Sequence, residues 1–279
     1  MNNKFCFLLL LSLSIFSAGC SAQKYPMLDP SDPADNITAW IKLEGDTSGR
    51  AYYRYGKMVA WGRPDGEFGQ PLFAYLTMKK GKFQKMDNGD YVTNYWECGL
   101  YADVQTGKTI DEFVNPYTGK TVKLKPICGR LSTSRYSSET GLSVKASFGL
   151  ESSILDSPYL LDWRIAGDNV TINREAHTKW VDLAGKTRHE MSLDTFTAKM
   201  SELSDPERSS VDATHVYTLV TEWMTMLDMS DIPGSMFWQR VTTKHFDLSE
   251  IPDDIQAAFR KEFGDDFFDQ AIDLPDPSE

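Results

Sequence analysis

His215 is the side chain best suited to acid–base chemistry near neutral pH. It lies in a strand-patterned run from Thr214 to Met226, two positions before Tyr217. Strand alternation puts His215 and Tyr217 on one face with Leu219 and Trp223. Its candidate partners are Tyr95 and Glu97, in an earlier strand-like run, and Glu222 near the end of its own. A histidine flanked by a phenol and a carboxylate can move protons without a cofactor, which would suit an isomerase, a cyclase or a hydrolase. The other histidines, His177, His189 and His245, each fall in a separate strand or strand end, and no CxxC or His-x-x-x-His spacing occurs. No metal or cofactor is therefore expected. A Gly-x-Ser-x-Gly nucleophile elbow is absent as well.

A second set of candidates would bind rather than react. From Asp90 to Val104 one strand face reads Tyr91, Thr93, Tyr95, Glu97, Gly99, Tyr101 and Asp103. The opposite face reads Val92, Asn94, Trp96, Cys98, Leu100, Ala102 and Val104. If the aliphatic face packs outward against another element, Tyr95, Glu97 and Tyr101 line an interior and form a polar-aromatic ligand site. If it packs inward, the Tyr/Glu face is the wet side of an ordinary half-buried strand. Trp223, Met226 and Trp238 belong to the richest apolar stretch, with Met224, Met229, Met236 and Phe237. Methionine adapts to irregular space, so this stretch reads either as core or as the wall of a hydrophobic pocket.

Two Gly-Lys-Thr cassettes, Gly107-Lys108-Thr109 and Gly119-Lys120-Thr121, invite a nucleotide reading. A P-loop needs a glycine five positions before the second glycine, and here Ala102 and Val114 stand there. Both cassettes lie between strand-like runs, so the expectation is two hairpin turns with glycine at positive φ.

These residues must be positioned by strands. Ala51 to Tyr55 and Met58 to Trp61, split at Gly56-Lys57, read as a hairpin. Pro71–Met78, Asp90–Val104, Gly141–Leu150, Tyr159–Ala166, Asn169–Val181, Arg188–Lys199, Thr214–Met226 and Gly234–Lys244 read as further strands. Near ten strands with short connections predict a mainly β chain, a single antiparallel β-barrel-like (lipocalin-like) domain or a sandwich. Short helices flank it. Ser31 or Asp32 caps one over residues 35–43, with Ile37, Trp40 and Ile41 on one face; a second starts at Ile251-Pro252 and buries Ile255, Ala258, Phe259 and Phe263.

The first residues resemble an export signal: Lys4, an apolar run from Phe5 to Phe16, then Ser17-Ala18-Gly19-Cys20. The last four resemble a bacterial lipobox, which makes Cys20 the lipidated residue; cleavage after Ala22 is the rival reading. Ser21 fits outer-membrane sorting. Cys98 and Cys128 remain, as a disulfide in an oxidising compartment or as two buried thiols. The net charge is −11, and from Asp247 onward eleven acidic residues face only Arg260 and Lys261. No basic stripe exists for a phosphate backbone, so nucleic acid is not an expected partner. The expected organisation is a signal over 1–19, a tether over 20–35, the β domain over 36–268 and an acidic tail over 269–279.

Asp103-x-x-Thr106-Gly107-Lys108 followed by Phe113-x-Asn115-Pro116-x-Thr118-Gly119-Lys120 resembles the signature of the family called domain of unknown function 1838. Glu222-Trp223-Met224, Ile232-Pro233-Gly234 and Ile251-Pro252 resemble its later segment, so the likeness runs from about Asn36 to Phe268. The family implies no settled activity and no catalytic residues. Three expectations stand together: binding of an apolar or amphipathic small molecule, cofactor-independent catalysis through His215, or an envelope protein whose acidic tail meets a partner. The sequence does not fix the oligomeric state.

Overall fold

A computed structural model describes residues 25–146, 158–181, 185–272 and 274. The export signal, Cys20 and the last acidic residues lie outside that set. Among the described residues twelve strands form, of which ten make one antiparallel sheet. They are β1 (Tyr52–Pro64), β2 (Gln70–Lys85), β3 (Tyr91–Ala102), β6 (Ile127–Ser137), β7 (Gly141–Ala146), β8 (Asp162–Ala166), β9 (Asn169–Val181), β10 (Thr187–Lys199), β11 (Thr214–Thr221) and β12 (Gly234–His245). The short β4 (Glu112–Val114) and β5 (Thr121–Lys123) pair only with each other. The order β7-β6-β3-β2-β1-β12-β11-β10-β9-β8 brings β12 back beside β1, so the first and last strands meet at the middle of the sheet.

The expected hairpin at Gly56-Lys57 does not form: β1 runs straight through it. Gly56 is there for closeness, since a Cβ would lie 2.6 Å from the Thr242 methyl on β12. Strand β6, absent from the sequence expectation, is polar and Gly/Ser-rich, so no apolar alternation marks it. Its ladder with β3 sets Cys98 opposite Cys128, and the two form a disulfide. The cassettes behave as expected: Gly107 and Gly119 have φ of 70° and 67°, the second within the β4–β5 hairpin.

The two faces of the sheet are covered by different helices. Helix α1 (Pro33–Glu44) is capped by Asp32, whose carboxylate accepts from the Ala34 amide at 2.9 Å. Its stripe Ile37, Trp40, Ile41 and Leu43 packs with Tyr52, Phe83, Tyr136, Leu142, Ile172 and Phe196. Asn36, fully buried, ties the helix to the edge by accepting from the Leu161 amide and the Trp163 indole N–H at 2.9 and 2.7 Å. The edge strands β7 and β8 thus both reach the α1 cluster, and the sheet curls around the helix. No ladder joins β7 to β8 among the described residues, so they make one large antiparallel sheet, as the mainly β expectation required, and no closed barrel. The four-residue α2 (Met200–Leu203) follows β10 and adds Met200 and Leu203 to the same cluster.

Helix α3 (Asp253–Phe263) and the short α4 (Asp266–Asp269) cover the opposite face. Ile251, Phe259, Phe267 and Phe268 close over Met78, Cys98 and Leu100. A third cluster, back on the α1 face, joins Phe73, Tyr101 and Trp238 to Trp223, Leu227 and Met229 from the connection before β12. Between these two clusters of the α1 face lies its polar middle.

Candidate functional site

The register of the strands builds that middle from three rows. One runs Arg174, Asp194, Tyr217, Arg240, Met58, Tyr75, Tyr101 across β9, β10, β11, β12, β1, β2 and β3. The next is small: His215, Thr242, Gly56, Thr77, Gly99. The third is Lys244, Arg54, Lys79, Glu97. Large side chains from the outer rows lie across the small one. The ring of Tyr75 rests over Gly99, where a Cβ would sit about 2 Å from the phenol oxygen. Arg240 donates through Nη1 to Thr77 Oγ1 at 2.7 Å and to Glu97 Oε1 at 3.1 Å.

At the α1 end the charges are sealed. Glu44, the last residue of the helix, pairs with Arg54 at 3.2 Å and Lys79 at 2.6 Å. Arg54 Nη2 also donates to the Leu43 carbonyl at 2.7 Å, and Lys244 Nζ donates to those of Lys42 and Gly45 at 2.6 and 2.8 Å. Two cations thus close the C-terminus of α1, where its carbonyls are left over and its dipole is negative. Burial alone would raise the Glu44 pKa; Lys79 and Arg54 overcome it and hold the carboxyl well below the usual range. Burial, with Arg54 alongside, brings Lys244 down to about 7.

His215 is also sealed, with 3% of its surface exposed. Its Nε2 meets Asp194 Oδ1 at 2.9 Å, its Nδ1 meets Thr242 Oγ1 at 3.1 Å, and its ring stacks on Phe196 at 4.2 Å. Burial is the largest influence on Asp194 and would raise its pKa; Arg174 at 2.6 Å and His215 outweigh it and keep the carboxyl low. Burial likewise depresses His215, outweighing Asp194. An ionised Asp194 only accepts, so neutral His215 carries its proton on Nε2 and accepts from the Thr242 hydroxyl at Nδ1. Both ring nitrogens are spent on structure.

The sequence-derived partners of His215 are therefore corrected: its hydrogen bonds go to Asp194 and Thr242, not to Tyr95, Glu97 or Glu222. Glu222 stands after β11, 3.3 Å from Arg188 and 3.8 Å from Lys186. Tyr95 carries the Lys79 ammonium over its ring at 4.1 Å. The histidines do not converge. By register, His177, His189 and His245 lie on the opposite face from His215, and no metal-type cluster occurs among the described residues.

The face question for residues 90–104 resolves into both faces being covered. Trp96, Cys98 and Leu100 pack beneath α3 and α4, while Tyr95, Glu97 and Tyr101 look toward the α1 face. Tyr101 is buried against Tyr75 and Phe73, at 4.9 and 5.1 Å between ring centres. Of the binding candidates, Trp223 and Trp238 are buried, with indole donors engaged by Ile232 O at 2.8 Å and Thr221 Oγ1 at 3.3 Å. Met226 packs against the same cluster while half-buried.

What remains partly open is a contiguous set on this face: Tyr75, Lys79, Tyr95, Glu97, Tyr217, Leu219 and Arg240. Burial drives Tyr75 and Tyr217 well above the usual phenol range, and Tyr101 to about 12, so all three hydroxyls stay protonated. The Arg240 guanidinium stands 5.0 Å from the centre of the Tyr217 ring. Its Nε is buried and has no hydrogen-bond partner. Sequence reasoning missed Arg240, Tyr75 and Asp194; only Tyr217 carried a signal, through its two-residue spacing from His215. Pairings across strands are set by register, which the local pattern does not reveal.

No curated protein matches the chain. A family model described as "Protein of unknown function (DUF1838)" matches residues 50–267, which include every strand residue of the three rows, so the chain belongs to that family.

Proposed function

We propose that the protein binds an apolar or amphipathic small molecule on the α1 face, within a sheet curled into an incomplete barrel. The supporting observation is the partly exposed set Tyr75, Tyr95, Glu97, Tyr217, Leu219 and Arg240, of which Tyr75, Tyr217 and Leu219 pack against the Trp238 cluster. Flat aromatic rings and a few fixed polar groups are the ordinary makings of a small-molecule site. Leu219 and the edge of the Trp238 cluster would take the apolar body; Arg240, Glu97 and the phenols would take the polar end. Catalysis through His215 draws no support, because its nitrogens are engaged and no substrate reaches it. In this reading the chain is an exported lipoprotein, tethered through Cys20, that presents the site in the cell envelope.

Two measurements test it. Native mass spectrometry of protein purified from its own host should show a co-purifying small molecule, released on denaturation. A uniformly unliganded protein that also fails to take up a neutral fluorescent dye would overturn the binding reading. Radioactive palmitate should label the wild type and not Cys20→Ser; persistent label on the variant would refute the anchor.

A further inference from the structure

We propose that the ligand carries one carboxylate, held side-on by the Nε edge of Arg240 in competition with Glu97; this rests on the binding reading above. Three buried polar atoms among the described residues have no hydrogen-bond partner: Arg54 Nη1, Tyr159 Oη and Arg240 Nε. Arg54 and Tyr159 lie beneath α1 with 2% and 1% exposure, and nothing can approach them. Arg240 is different. Its side chain keeps 10% exposure and that of Glu97 keeps 21%, so the pair borders solvent.

Arginine recognises carboxylates best through two parallel N–H donors. Arg240 makes both its contacts, to Thr77 and Glu97, through Nη1 alone. The edge that contains Nε is left unmade, and a charged donor buried without an acceptor is costly. A ligand carboxylate on that edge would satisfy it. The same oxygens would lie beside protonated phenols, Tyr217 on one side of Arg240 and Tyr75 across Met58. Glu97 limits the charge: it stays 3.1 Å from the guanidinium, and half-buried Glu190 lies two strands away near Tyr217. A dianion such as a phosphate monoester would meet Glu97 and Glu190 with Arg240 as the available cation, because the neighbouring Lys79 is already paired with Glu44 at 2.6 Å. A monocarboxylate asks only that Glu97 yield part of its hold.

The test compares acids with their uncharged amides: 1-naphthoate with 1-naphthamide, and decanoate with decanamide, titrated by tryptophan fluorescence into the full chain. At least one acid should bind ten-fold or more tightly than its amide. Arg240→Met should abolish that preference by weakening the acid more than the amide, and Arg240→Lys should restore less than half of it in free energy. Glu97→Gln should tighten acid binding several-fold and so widen the preference of acid over amide. Equal binding of acid and amide by the wild type would overturn this inference and leave the binding reading standing. A preference that survives in Arg240→Met, or a Glu97→Gln variant that binds acids no better, would also overturn it. Binding of no probe would sink both.

Discussion

Arg54 and Arg240 sit on neighbouring strands of the same sheet face, each with one buried nitrogen that has no partner, yet they live in opposite surroundings. Around Arg54 the charges are roofed by α1, and every partner is a helix carbonyl or the helix's own Glu44. Around Arg240 the partners come from strands alone, and solvent reaches the group. The first arrangement ties the helix to the sheet. The second bridges β12 to β2 and β3, strands that the ladders already hold in one sheet. A buried charge that joins otherwise separate elements is explained by architecture; one whose elements are already joined is a better candidate for function.

The comparison breaks most readily through stability. Glu44→Ala leaves Arg54 and Lys79 buried without a carboxylate, and the expected cost is about 3–5 kcal/mol, as when one partner of a buried pair is removed. Arg54→Ala should cost a similar amount. Arg240→Ala, at a half-open site, should cost only about 1–2 kcal/mol. Urea denaturation of the three variants measures this directly. Equal losses for Arg54→Ala and Arg240→Ala would show that both arginines are structural.

The opposite face offers a control. The Cys98–Cys128 disulfide lies under α3, and its 30-residue separation sets a contribution of about 3–4 kcal/mol in the loop-entropy model. The double variant Cys98→Ser, Cys128→Ser should unfold at lower temperature than the oxidised wild type, and reductant should bring the wild type down to match. Acid binding should be untouched, because the bond lies on the far side of the sheet from Arg240.

Acidity acts through the sealed region. Glu44 and Asp194 titrate lower in the folded protein than when unfolded, so the unfolded chain takes up their protons first as pH falls. Their contribution is complete above the ordinary carboxylate range and drains away below about pH 4. His215 works in the same direction from higher up: its folded pKa is below the ordinary 6.5, so stability declines once pH drops under that value. Lys244, held at about 7 against an ordinary 10.5, makes stability rise with pH across that interval. The urea midpoint should therefore climb from pH 4 to pH 9, and His215→Gln should flatten the part just below 6.5. A midpoint independent of pH from 4 to 7 would mean that burial does not hold His215 below its ordinary pKa.

Much of this architecture was legible from alternation alone. The runs at 169–181 and 234–244 are strands within a residue of expectation, and the cassette glycines turn as their chemistry requires. Two kinds of feature were not. Strand β6 has no apolar stripe, because its partner β3 and the disulfide hold it in place of a hydrophobic face. The site was half legible: Tyr95, Glu97 and Tyr101 were found because one strand carries them all. Arg240 was invisible, since an arginine at an alternate strand position is ordinary until register sets it beside Tyr217 and Glu97. His215 was overvalued because its type suggested chemistry, while Asp194 and Thr242, which occupy it, lie 21 and 27 residues away.

The sharpest probe of the open region is a single added methyl. Gly99 has no positive φ to satisfy; it is glycine because the Tyr75 ring lies on it. In Gly99→Ala the new methyl would fall about 2 Å from the phenol carbon and oxygen, so the ring must leave. Tyr75 is partly exposed and can swing outward, which should limit the cost to about 1–3 kcal/mol, the usual range for overpacking. Its departure removes one phenol from beside Arg240 and parts the contacts with Tyr101 and Trp238, now at 4.9 and 6.3 Å between ring centres. Ligand affinity should fall more than stability does, and Tyr75→Phe should keep the fold and the apolar contact while losing only the hydroxyl. If Gly99→Ala binds acids and amides as the wild type does, Tyr75 is packing, and the binding surface must be sought on the Tyr217 side of Arg240.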